Sequence, residues 1–159
     1  MAASPAAIEE LYRARFDVFR NVLSGVVSSR ESAREVVQEA FARALRDRRK
    51  YRGDGSLEAW VWRIALNQAF KDRRARRDEW ELDEEPAAEA FGFADDDVRD
   101  AIRALPPRRR LVVFLRYFAD LSYAEIAGIC DVSEGTVAAT LSQSHAELSR
   151  HLAPEGARG

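Results

Sequence analysis

One cysteine in 159 residues, Cys130, excludes an internal disulfide, and two histidines, His145 and His151, are too few to build a metal-ligand cluster. Cys130 is therefore expected as a small core residue. No apolar run approaches the roughly 20 residues needed to cross a bilayer. The start, Met1 to Ile8, lacks the basic-then-apolar order of a secretory leader, so a cytoplasmic location without membrane insertion is expected. Sustained β-strand alternation is missing throughout. So is any nucleophile–base or metal constellation, which argues against an enzyme, a cofactor or a small-molecule substrate.

What the chain has in quantity is charge, unevenly placed. The net charge is only −2, yet residues 1–77 carry 17 Lys/Arg against 10 Asp/Glu. Residues 78–97 carry ten acids and no base, and residues 98–159 are close to neutral, with 8 bases and 7 acids. A basic block ahead of an acidic strip points to a nucleic-acid partner for the first block alone.

Helical periodicity fills both ends. Ser4-Pro5 supplies a cap and a first-turn proline, after which Ile8, Leu11, Tyr12, Phe19, Val22, Leu23 and Val26 recur at three- and four-residue steps. Ser28 and Glu31 have capping-box spacing ahead of the stripe Val36, Val37, Ala40, Phe41, Ala44 and Leu45. A polar break from Arg48 to Gly55 leads to Ser56, which opens a third helix with Trp60, Val61, Ile64, Ala65 and Phe70 expected on the core. That helix ends in the run Lys71 to Arg77. The acids of 78–97 repel one another and Pro86 interrupts any helix, so the strip reads as a linker, although Trp80, Leu82, Phe91 and Phe93 are unusual for a plain spacer. Beyond it, Asp97 is placed to cap Val98 to Leu105, and a helix is expected from about Arg108 to Phe118. Ser122 and Glu125 form a second capping box, and Ser133 caps a last helix from about Glu134 to His151. The fold class is all-α: two small helical domains, 1–77 and 98–159, joined by an acidic linker at 78–97.

Three constellations bear chemistry. Residues 122–148 have helix-turn-helix spacing, with Ile126, Ala127, Val132, Val137 and Leu141 as internal contacts; a plain αα-hairpin fits the same pattern. The second of these helices has no Lys or Arg from Glu134 to Glu147. Its candidates for DNA are Ser133, Thr136, Ala138, Ala139, Thr140, Ser142, Gln143 and His145, a set able to meet base edges but poor in phosphate-neutralising charge. In the third helix Trp60, Trp62, Arg63, Asn67 and the run Lys71 to Arg77 put aromatics beside cations, as unstacked single-stranded bases require. Core packing for Trp60 and a solvated helix end for the arginines are the plainer alternatives. In the second helix Glu31, Glu35, Gln38 and Glu39 line a polar face suited to a basic partner helix or simply to solvent.

The order of residues carries a further signal. Glu31 to Leu45, then Tyr51-Arg-Gly-Asp54, then Leu57-Glu-Ala-Trp-Val-Trp-Arg-Ile-Ala-Leu-Asn67 resembles region 2 of extracytoplasmic-function (ECF) sigma factors. Leu105 to Phe118, Leu121-Ser-Tyr-Ala-Glu-Ile-Ala127 and Val132-Ser-Glu-Gly-Thr-Val137 resemble their region 4. The resemblance spans about residues 8–150. It implies a subunit that binds core RNA polymerase and promoter DNA, with an anti-sigma factor as regulator. Glu35, Val36, Gln38, Glu39 and Phe41 then match the face that binds the polymerase clamp. Trp60, Trp62, Arg63, Asn67, Lys71, Arg73, Arg74 and Arg77 match the stretch that opens and holds the minus-ten element. Ser133, Thr136, Ala138, Thr140, Gln143 and His145 match the helix that enters the minus-thirty-five element. A regulator that binds duplex DNA without polymerase, or a sigma-like decoy that binds protein only, is the alternative. Two departures stand out: Asp131 replaces the usual turn glycine, and Ala138, Thr140, Gln143 and His145 stand where relatives often carry arginines.

Overall fold

The computed structural model describes residues 2–27, 29–76 and 96–153. The chain divides into two compact units, Met1–Ala87 and Ala88–Gly159. All regular elements among the described residues are helical. The acidic strip, except Asp96 and Asp97, lies outside the described residues, as do Ser28 and Arg77.

In the first unit three long helices pack on one another: α1 (Pro5–Val27), α2 (Arg30–Arg46) and α3 (Leu57–Arg76). Ser4 caps α1 by accepting the Ala7 N–H at 3.1 Å. At the start of α2 the cap is Ser29, whose hydroxyl accepts from the Ser32 N–H at 3.0 Å, one residue later than the expected Ser28 register. Ser56 caps α3 through the Ala59 N–H at 3.0 Å. Each such cap satisfies an N–H that the helix itself leaves unpaired, worth about 1 kcal/mol.

The core of this unit is built around an aromatic stack. Phe19 of α1 lies flat on Trp62 of α3, centroids 3.8 Å apart and planes 7° from parallel, while Phe41 of α2 meets Phe19 edge-on at 5.2 Å. Tyr12 in turn meets Phe41 edge-on at 5.1 Å. Around them Ile8, Val22 and Leu23, then Val36, Val37 and Ala40, then Val61, Ala65, Leu66 and Ala69 are buried. This corrects the expected phase of α3. Trp62, Leu66 and Ala69 face inward with Val61 and Ala65, whereas Trp60 and Ile64 are half-buried and Phe70 is exposed. The apolar residues of α3 surround most of its circumference, so periodicity alone leaves two phases open. The flat face of Phe19 settles the choice by taking Trp62.

The second unit comprises α4 (Asp96–Ala104), α5 (Pro107–Tyr117), α6 (Tyr123–Cys130) and α7 (Glu134–Leu152). Asp96 and Asp97 form the first turn of α4, where carboxylates favour the positive end of the helix dipole. The helical body thus begins two residues inside the expected linker. Ile102, Leu105, Val112, Val113, Phe114, Leu115, Ile126, Val137 and Leu141 form its core. Arg110 is nearly buried and donates Nη2 to the carbonyls of Arg103 and Leu105, both at 3.1 Å, which ties α5 to the end of α4. Cys130 is half-buried, not fully enclosed as expected; burial pushes its thiol up, and the nearby Arg108 opposes this more weakly.

Candidate nucleic-acid interface

With its inward side committed to Phe19, α3 presents the opposite side to solvent. At 100° per residue, Arg63, Asn67, Phe70 and Lys71 fall within one arc and are all exposed, with the half-buried Trp60 inside that arc and the half-buried Ile64 at its edge. Arg73 and Arg74 continue the last turns of the same helix, and their side chains are not described. Trp60 is steadied from the preceding loop. Tyr51 packs against it at a 50° tilt, centroids 5.5 Å apart, and closes the loop by donating its hydroxyl to the Gly55 carbonyl at 2.6 Å. Gly53 (φ 84°) and Gly55 (φ 126°) occupy backbone conformations that side chains resist, which is why the reversal there needs glycine. The arrangement offers a partly open ring, two cations and an amide on one rigid element. Rings stack on unpaired bases, cations follow phosphates, and the amide can bond a base edge.

Trp62 does not share that face. It is fully buried, and its indole N–H points to Glu58 Oε1 at 3.5 Å, a carboxylate that also pairs with Arg15 of α1 at 2.9 Å. A tryptophan so enclosed has no surface for a base, so the expected DNA role of Trp62 gives way to a structural one. Conversely Phe70, expected in the core, joins the exposed face. Its position three residues after Asn67 and seven after Arg63 was the available signal, hidden by its hydrophobicity.

The polar face of α2 is likewise narrower than expected. Glu35, Gln38 and Glu39 are exposed and sit on neighbouring turns, but Val36 and Phe41 are 1% and 4% exposed and belong to the core. These two position the face from behind and offer no contact surface. Leu45, expected in the core, is 40% exposed on the same helix.

In the second unit α6 and α7 form the helix-turn-helix. Ser122 and Glu125 make a complete capping box, with hydroxyl and carboxylate each accepting a backbone N–H at 3.1 Å. Asp131 takes the left-handed conformation (φ 56°, ψ 49°), and the Val132 N–H reaches back to the Ala127 carbonyl at 3.1 Å. Aspartate therefore fills the glycine role in the turn, at the modest cost of its Cβ. Ile126, Ala127, Val137 and Leu141 are buried as expected, and Val132 is half-buried.

The expected contact set on α7 does not form a single patch. Ser133 is committed to the cap: its hydroxyl accepts the Thr136 N–H at 3.1 Å and pairs with the Thr136 hydroxyl at 2.9 Å. Thr136, Thr140 and Gln143 share one flank, with Thr140 half-buried. Ala138 and His145 lie roughly opposite, given 3.6 residues per turn. His145 is bonded through Nε2 to the Tyr117 hydroxyl of α5, so its imidazole is tied to its own unit. Ala139 and Ser142 occupy the middle of the exposed side. Two cations elsewhere in the unit are engaged internally. Arg109 pairs with Glu147 at 2.9 Å, and Arg116 lies over the Tyr123 ring at 5.4 Å while donating to the Leu121 carbonyl at 3.1 Å. From Glu134 to Glu147 the helix itself brings no Lys or Arg to neutralise phosphate.

Comparison with known proteins agrees with both units. Residues 11–79 match the family model "Sigma-70 region 2" and residues 95–148 match "Sigma-70, region 4". The chain is 30% identical over 149 residues to the RNA polymerase sigma-H factor of Pseudomonas aeruginosa, covering 80% of this chain and 77% of that one. It is 29% identical over 140 residues to the ECF RNA polymerase sigma-E factor of Escherichia coli, covering 76% and 73%. In fold it is similar to the sigma factor RpoE of Bartonella quintana, solved in complex with the anti-sigma factor NepR. That match has a TM-score of 0.69 and 18% identity, over 91% of this chain and 97% of the other. The chain belongs to the ECF sigma factors of the sigma-70 family, a class of DNA-binding transcription initiation factors. Among the described residues no helix is long and apolar enough to cross a membrane.

Proposed function

We propose that this chain is a cytoplasmic, non-catalytic promoter-specificity subunit whose first unit does most of the binding. Glu35, Gln38 and Glu39 of α2 dock on core RNA polymerase. Trp60, Arg63, Asn67 and Lys71, extended by Arg73, Arg74 and Arg77, hold the opened minus-ten strand. The exposed side of α7, with Thr136, Ala139, Ser142 and Gln143, enters the major groove at the minus-thirty-five element as a weak contact that depends on the polymerase for affinity. Residues 78–95 connect the two bodies as an acidic tether, and an anti-sigma protein is the regulatory partner. No cofactor or small-molecule substrate is required.

The observation that carries this reading is the solvent side of α3, where Trp60, Arg63, Asn67 and Lys71 lie together on a helix whose other side is locked by the Phe19–Trp62 stack. Base stacking contributes about 1–3 kcal/mol per ring, the scale of the few kcal/mol needed to unstack a step. Binding to core polymerase and promoter opening are separable in this scheme. Gln38→Ala with Glu39→Ala is expected to weaken holoenzyme assembly at least tenfold while leaving the thermal midpoint within about 3 °C, because the Glu39–Arg46 pair it removes is solvent-exposed. Unchanged assembly in a titration of fluorescently labelled chain with core polymerase would remove the clamp assignment.

A further inference from the structure

Several polar side chains of α7 are engaged within their own unit. Ser133 and Thr136 bond to each other at the cap, Ser144 donates its hydroxyl to the Thr140 carbonyl at 2.7 Å, and His145 is held by Tyr117. Glu147 pairs with Arg109 at 2.9 Å. Gln143 differs. It is exposed, and its amide has no hydrogen-bond partner among the described residues.

Its neighbour one turn earlier is Ala139. Val137, Leu141 and Ser144 are buried and define the inward side of α7. At 100° per residue Ala139 falls about opposite them, and Gln143 about 40° round from Ala139. Gly135, Ser142 and Ala146 surround the pair, all exposed and all small, so no bulky side chain holds a base edge away from this strip. From Gly135 to Gln143 the helix rises about 12 Å, at 1.5 Å per residue, which is the width of a major groove.

The chemistry of the strip separates base pairs. Guanine is read by a cation that donates to O6 and N7 together, and α7 has no Lys or Arg from Glu134 to Glu147. A side-chain amide is matched to adenine, because it donates to N7 while its carbonyl accepts from the N6 amino group. A methyl side chain is matched to the C5-methyl of thymine, and the hydroxyl of Ser142 serves any pair equally. Ala139 and Gln143 stand about 6 Å apart along the axis, less than two base-pair steps of about 3.4 Å. We propose that Gln143 reads an adenine and Ala139 a thymine methyl within two pairs of it, so that α7 selects A·T pairs at the minus-thirty-five element. The proposal rests on the reading of α7 as a major-groove helix and adds the base pairs it selects.

The test uses reconstituted holoenzyme and promoter fragments with an opened minus-ten segment of fixed sequence and a randomised minus-thirty-five duplex; the bound fragments are sequenced. The parent is expected to enrich an A·T pair at one position and a second within two pairs of it. On the enriched duplex Gln143→Ala lowers affinity about 5- to 150-fold, the range for one bidentate base contact. Substitution of 7-deazaadenine, which lacks N7, weakens the parent and leaves this variant unchanged. Uracil in place of the thymine lowers affinity about fourfold, the value of one methyl group, in the parent and not in Ala139→Gly. Gln143→Arg turns the selected pair to G·C, a gain that an unfolded helix cannot produce. Enrichment of G·C by the parent, an adenine preference that survives Gln143→Ala, or equal binding of thymine and uracil duplexes overturns the proposal while leaving α7 in the groove. No enrichment at any randomised position, with affinity unchanged in Gln143→Ala, refutes the major-groove reading as well.

Discussion

Two tryptophans two residues apart, Trp60 and Trp62, are expected to fail in opposite ways when truncated. Trp62 is 0% exposed and stacked on Phe19 at 3.8 Å, so Trp62→Ala leaves a large void at the junction of all three helices of the first unit. Truncating a buried aromatic of this kind costs about 3–5 kcal/mol. A unit of some 75 residues has a total stability of only about 4–11 kcal/mol, so the substitution removes much or all of it. The expected thermal shift is at least about 12 °C downward, at 4 °C or more per kcal/mol for a domain this size. Trp60→Ala gives up a tilted ring contact to Tyr51 and partial burial, about 1 kcal/mol. Its larger effect falls on DNA, where one lost stack lowers affinity for an opened strand about 5- to 150-fold. Urea titration followed by far-ultraviolet circular dichroism reads the first quantity, and permanganate reactivity of an opened promoter in the holoenzyme reads the second. The reasoning is refuted if Trp62→Ala unfolds at the parental urea midpoint yet opens promoters worse than Trp60→Ala.

Two further predictions concern the second unit. Asp131 holds φ 56° and ψ 49° in the turn of the helix-turn-helix, so Asp131→Gly should match or raise its thermal stability, while Asp131→Val should lower it by about 1–2 kcal/mol; equal midpoints for both variants would show that the turn carries no conformational constraint. The thiol of Cys130 is held above its ordinary value of 9.0, chiefly by burial and against a weaker pull from Arg108. The unfolded chain therefore ionises first, so this group leaves stability untouched at neutral pH and erodes it as pH rises above about 9 towards the folded value. Ellman's reagent at mildly alkaline pH should accordingly react more slowly with native than with urea-unfolded chain, and Cys130→Ala should flatten the alkaline decline; equal rates would contradict the shift.

The helices and most of their limits were legible in the chain because they are written locally. Ser4, Ser56, Ser122 with Glu125, and Ser133 cap where their spacing indicates, since a cap involves only the next three residues. Asp131 turns where glycine is usual for a similarly local reason. The α2 start shifted from Ser28 to Ser29 because two adjacent serines offer the same chemistry and only the packing phase of α2 separates them.

Which residues face solvent was another matter, because facing is a relation between helices distant in sequence. On α3 the apolar residues admit two inward sides, and the ring of Phe19, some forty positions earlier, selects the one containing Trp62. That selection turns Phe70 outward and leaves Trp60 half open. On α2 Val36 and Phe41 matched a contact motif in the linear pattern but are drawn into the shared core, leaving Glu35, Gln38 and Glu39 to form the surface. On α7 the link from Tyr117 to His145 claims a side chain that the bare helix would have offered to DNA. Spacing thus establishes the helices and their caps, and the resemblance of the motifs points to the family, whereas side-chain availability follows from burial, which depends on partners that no local window contains.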